Sequence, residues 1–221
     1  MKNLLLALCF VVVASSSAQI TKSGQGYLFR MKHQAGSVFK YGVVSSLAGT
    51  GANGQPMTFT LPMIWKVVGV KAGVATIDTT VGPVSVGKSP MVNAVKNRIQ
   101  LDVRGRVVGQ GGAGQQVTPA FPEKAIKVGQ SWQASAPVEL PMQGEKKIQA
   151  TYVFKGIKVV NGKQMAELAV TTGGQASGTG SMFLLVSDGS LFRSTLKMNL
   201  KMVAPDGVPT NYKVTADIKR Q

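Results

Sequence analysis

Of the residue types most used in metal binding and acid–base chemistry, the 221-residue chain holds one cysteine, one histidine and nine carboxylates. A single His33 and a single Cys9 cannot supply a His/Cys metal cluster. A Ser-His-Asp triad would have to recruit His33, yet VGQSWQ lacks the second glycine of a G-x-S-x-G turn. His33 lies in the polar stretch RMKHQAG and is expected as an exposed turn residue. The carboxylates are scattered, so no pair is favoured for glycoside hydrolysis. Metal, cofactor and catalytic residues are therefore expected to be absent, and the protein is expected not to be an enzyme. N-x-[ST] sequons are missing as well.

The longest apolar run, Leu4 to Ala14, is too short for a membrane span of about 20 residues. It follows Lys2 and ends in small residues, with Ser16 and Ala18 before a cut, which is the layout of a secretory signal peptide over residues 1–18. Leu8 is bulky where a lipoprotein site wants a small residue, and the apolar run continues past Cys9, so lipidation there is not expected. Cleavage after Ala18 removes the only cysteine and leaves no transmembrane span. A mature chain without disulfides or sequons points to bacterial export, to periplasm, envelope or medium.

Lys2 leaves with the signal, so 24 cations face nine carboxylates and the mature charge is +15. Such a surface attracts anionic lipid headgroups or acidic glycans. The positive residues are spread rather than gathered in runs, which also fits a generically soluble basic surface, and nucleic acid is not expected as the partner.

Period-two alternation dominates what remains. Met57, Phe59, Leu61, Met63, Trp65 and Val67 form one stripe. Leu196, Met198, Leu200 and Met202 form another, and across the turn APDGVP they are answered by Tyr212, Val214, Ala216 and Ile218. Helix is hinted only in SPMVNAVKNRI, with Ser89 as cap and Pro90 at the first helical position. The tracts GTGANGQ and TTGGQASGTG read as hairpin loops or frayed strand ends.

Two halves align at Gly36/Gly129, Gly69/Gly156 and Gly105/Gly189. The apolar parity switches at both Gly69 and Gly156, as at a bulge. The expected fold is mainly β and antiparallel: two sequence-related halves, 19–109 and 128–221, joined by a connection at 110–127, in a barrel-like or sandwich-like architecture with little helix.

In the second half, FPEKAIKVGQSW, YVFKGIKVVNGK and SDGSLFRSTLKMNLKM resemble exported bacterial domains of unknown function with a Pro-x-Lys-x-(Val/Ile)-x-Val-Gly-x-x-Trp opening. The resemblance covers roughly the last hundred residues, more loosely the first half. It implies a β-rich exported domain and transfers no catalytic residue.

Residues 82–89, GPVSVGKS, fit the phosphate-cradling pattern G-x-x-x-x-G-K-[ST]. Scarce helix, a donor removed by Pro90 and export away from ATP all argue against nucleotide binding. Two candidate sites remain. Lys197, Lys201, Lys213 and Lys219 share the wet face of the last hairpin and form a candidate anion-binding surface. Met57, Met63, Trp65, Met198 and Met202 are candidates to line an adaptable apolar cavity. The expected function is a non-enzymatic exported binding protein, associated with the cell envelope through its basic surface. The alternative is a carrier of a lipid-like ligand between curved sheets.

Overall fold

The computed structural model describes residues 19–48, 56–87, 89–109, 118–140, 144–174, 176–203 and 209–221. The signal segment, the tract GTGANGQ, Lys88, the glycine-rich part of the connection and the APDGV turn lie outside the described residues.

A short hairpin, β1 (Ile20–Ser23) and β2 (Gly26–Phe29), stands apart from the main sheet. The first half then runs β3 (Val38–Ala48), β4 (Met57–Lys71), β5 (Val74–Val81), β6 (Val84–Val86), β7 (Ser89–Val92) and β8 (Val95–Leu101). The second runs β9 (Ser131–Leu140), β10 (Gly144–Val160), β11 (Lys163–Thr172), β12 (Ala176–Leu185), β13 (Leu191–Val203) and β14 (Pro209–Arg220). Strands β9 to β14 pair in chain order, β14 pairs β3, and β3, β4, β5 and β8 continue, with β6–β7 as a branch on β4. Every pairing is antiparallel. Among the described residues the sheet is open: β9 and β8 each pair on one side only, so the architecture is sandwich-like and not a closed barrel.

The alternating stripes sort as hydrophobic burial requires. Met63, Trp65 and Val67 are buried, while Ile64, Lys66 and Val68 between them are exposed. Both halves feed one core, in which Trp65, Ile77 and Leu101 belong to the first and Phe154, Leu168 and Leu184 to the second. Strand β2 seals it: the Phe29 ring lies 5.1 Å from Phe154 and 5.8 Å from both Phe121 and Trp132.

SPMVNAVKNRI forms β7 and β8, not a helix. Its apolar positions Val92, Val95 and Ile99 have helical spacing, but Ile99 and Leu101 are the pair that reaches the core against β5. Short apolar runs of this kind do not separate helix from strand. Within this motif Val84–Val86 form β6 and Ser89 begins β7, an antiparallel strand pair rather than a strand leading into a helix. In TTGGQASGTG, Thr171 and Thr172 end β11, Gly173 and Gly174 lie between the strands and Ala176–Gly180 opens β12, so the tract is a hairpin connection with its strand ends.

Two of the three matched glycine pairs, Gly36/Gly129 and Gly69/Gly156, hold equivalent positions. Register shifts occur at Val67/Gly69 and at Phe154/Gly156. Gly36 N–H donates to the Val67 carbonyl at 2.8 Å, and Gly129 N–H donates to the Phe154 carbonyl at 2.7 Å. Val67 N–H returns to Ser37 and Phe154 N–H to Gln130, at 2.9 and 3.0 Å. Beyond the bulges Ile157 packs on the core, but Val70 and Val159 near the hairpin tips stay exposed.

Candidate functional site

The inner face of the second half is a grid of cross-strand neighbours. One row runs Ala134, Ala150, Thr172, Gly178 and Met198 across β9 to β13. The next runs Trp132, Tyr152, Val170, Gly180 and Leu196. Small residues crowd the middle of this grid, and above them lies a cavity of about 240 Å³. Ala134 of β9 and Ile218 of β14 both line it. On a flat sheet they would stand about 24 Å apart, at about 4.8 Å per strand, so the sheet curls around the hollow.

Gly178 and Gly180 allow the tightest part of that curl. A Cβ at Gly178 would run into the Lys197 carbonyl oxygen and come within 2.7 Å of Met198 Cα. A Cβ at Gly180 would meet the Thr195 carbonyl oxygen and Leu196 Cα in the same way. Strand β13 therefore folds closely over β12, an approach that only glycine permits.

The remaining wall is the segment 118–120, which crosses the concave side before β9. It is tied down at several points. Trp132 Nε1 donates to the Ala120 carbonyl at 3.0 Å, and Arg104 Nε donates to the Phe121 carbonyl at 2.9 Å. The Arg30 guanidinium donates to the carbonyls of Pro122 and Glu123, at 2.9 and 2.7 Å. Trp132 in turn stacks on Tyr152 at 5.3 Å.

Among the described residues, no charged side chain lines the cavity. Burial pushes the Tyr152 phenol up to about 12, so it stays neutral. Thr172 Oγ1 is one of two buried side-chain polar atoms without a hydrogen-bond partner among the described residues; the other, Trp65 Nε1, does not belong to the cavity.

The candidates from sequence are distributed as follows. Met198 lines the cavity. Met63 and Trp65 are buried core of the first half, and Met57 is half-buried on β4, away from it. The Met202 side chain lies outside the described residues. Met182, Tyr152 and Thr172 line the cavity without having been singled out. Their inward parity was visible in the sequence; their convergence was not. Lys197, Lys201, Lys213 and Lys219 are all exposed, on the face of β13 and β14 opposite Leu196, Met198 and Ile218. None of the four forms an ion pair among the described residues.

Two polar clusters tie the chain together elsewhere. Asp102 accepts the Arg104 and Arg106 N–H groups at 2.8 and 2.9 Å and the Arg106 guanidinium at 2.6 Å. Burial raises its pKa, but these donors outweigh burial and hold the carboxyl below its ordinary value. His33 is half-buried rather than exposed, with Nε2 3.3 Å from the Asp102 carbonyl oxygen. Burial lowers its pKa, against the opposing pull of Asp102. At the chain end, Arg220 donates to Ser190 Oγ at 2.6 Å and to Asp188 at 3.2 Å while lying over the Phe39 ring.

No family model matches the chain, and no curated protein matches it. Among solved structures, a DUF1329 family protein from Desulfovibrio piger is similar at 11% identity over 83% of each chain, with a TM-score of 0.20. A superposition that loose carries no argument about activity.

Proposed function

We propose that the protein is an exported, non-enzymatic binding protein that carries an apolar ligand in the hollow of its curled sheet. The observation that carries this reading is the cavity of about 240 Å³, whose described lining is mostly apolar and small side chains with no charged one among them. Protein interiors normally pack as densely as organic crystals. A dry apolar cavity of about 150 Å³ already takes up benzene, so this one is large enough for a stretch of hydrocarbon chain. The small residues Ala134 and Ala150 line it and leave room where larger ones would fill it.

The test is to fill it. Ala150 is 7% exposed and lies on the cavity floor. Wild type is expected to enhance the fluorescence of 1-aminoanthracene saturably, and Ala150→Phe is expected to abolish that response while its circular dichroism stays β-type. Undiminished dye binding by a folded Ala150→Phe variant would refute the carrier reading. Lipid extraction and mass spectrometry of protein from its native envelope would identify the cargo.

A second reading, docking on an anionic envelope lipid or glycan, is favoured by the exposed, unpaired Lys197, Lys201, Lys213 and Lys219. It is compatible with the first, since the lysines lie on the opposite face from the cavity.

A further inference from the structure

We infer that the ligand is an amphiphile: an apolar chain ending in an uncharged oxygen-bearing group, such as a hydroxyl or an ester carbonyl, that hydrogen-bonds with Thr172. This rests on the carrier reading and specifies its ligand class.

Thr172 is 8% exposed and its hydroxyl has no partner. An orphan hydroxyl in an apolar wall destabilises the fold, and packing alone would favour valine there. Two neighbouring polar groups are already engaged. Thr118 Oγ1 donates to Met31 Sδ at 3.6 Å, and Trp132 Nε1 is held by Ala120. Thr172 is thus a hydrogen-bonding group on the wall with its capacity unused. Its cross-strand neighbours are Ala150 and Gly178, which have no side-chain atoms beyond Cβ and leave room beside it. A rotation about χ1 exchanges the hydroxyl and methyl positions, so the hydroxyl can be presented to the cavity.

Among the described residues the lining carries no charge, and this sets the rest of the specificity. A carboxylate or ammonium drawn into the hollow would be desolvated without a counter-ion. A neutral hydroxyl or carbonyl needs only one partner, and threonine both donates and accepts.

The experiment compares octan-1-ol, n-octane and octanoate as competitors of bound 1-aminoanthracene, on wild type, Thr172→Val and Thr172→Ser. Octanol is expected to compete about fivefold more weakly on Thr172→Val, the size of one ordinary net hydrogen bond. Octane should compete equally on all three proteins. Thr172→Ser, which keeps the hydroxyl, should retain the octanol preference and serves as the informative variant if valine impairs folding. Equal octanol competition on wild type and a folded Thr172→Val overturns the inference and leaves the carrier reading standing, as does loss of the octanol preference in a folded Thr172→Ser. Octanoate competing as well as octanol overturns the requirement for an uncharged group. Failure of wild type to bind the dye or any competitor overturns the carrier reading, and this inference with it.

Discussion

Gly69 and Gly156 occupy equivalent bulges, yet alanine should have opposite effects at the two sites. A Cβ at Gly69 would meet nothing within 4 Å, and one at Gly156 would touch only Val128 Cγ2 at 3.9 Å. Space is therefore equal, and the backbone decides. Gly156 has φ +121°, whereas Gly69 is not among the positive-φ residues. At Gly156 an L-residue is held in a region costing about 1–3 kcal/mol. At Gly69 alanine is unstrained and restricts the unfolded chain, stabilising by about 0.4–1 kcal/mol. A domain of this size shifts its Tm by about 2–4 °C per kcal/mol. Gly156→Ala should thus melt about 2–12 °C lower than wild type, and Gly69→Ala at or about 1–4 °C above it. Scanning calorimetry of both variants beside wild type makes the comparison. Equal shifts of the same sign would show that the two bulges do not differ in backbone demand, and the reasoning would be wrong.

The basic face and the polar cluster give two more expectations. Changing Lys197, Lys201, Lys213 and Lys219 together to Gln should weaken cosedimentation with anionic vesicles at low salt and leave the fold intact. Wild-type binding should also fade as salt screens charge over about 10 Å at 0.1 M. Equal binding by the quadruple variant, or none by wild type, would reduce the row to a solvated strand face. His33 and Asp102 should make the protein acid-sensitive in two steps. The folded pKa of His33 lies below 6.5, so the unfolded chain binds more protons as pH falls through 6.5 and stability drops there. Asp102 lies below 3.8, so its contribution is intact above that pH and is lost as pH falls through its lower folded value. The upper step of a Tm-versus-pH profile should vanish in His33→Gln and persist in Asp102→Asn; persistence in His33→Gln would assign it to another group.

The sequence by itself determined what depends on near neighbours. Alternation from Met57 to Val67 and from Leu196 to Ile218 specified strands and their buried faces, because successive side chains of a strand point to opposite sides. A parity switch located both bulges, since an inserted residue must change the face. Asn161–Gly162, both at positive φ, specified the β10–β11 turn. The tertiary structure alone decided what depends on register between distant strands. Ala134, Ala150, Thr172, Gly178 and Met198 are far apart in sequence and meet only because five strands align them in one row. Gly178 and Gly180 look like loop glycines until β13 is seen folding over β12, and Thr172 looks like an ordinary strand threonine until its hydroxyl is found without a partner. The joining of β14 to β3, which merges the halves into one sheet, also lies beyond local pattern. Whether the stripes enclose a solid core or a hollow depends on the volumes that face one another across the curl, and no single strand records that sum.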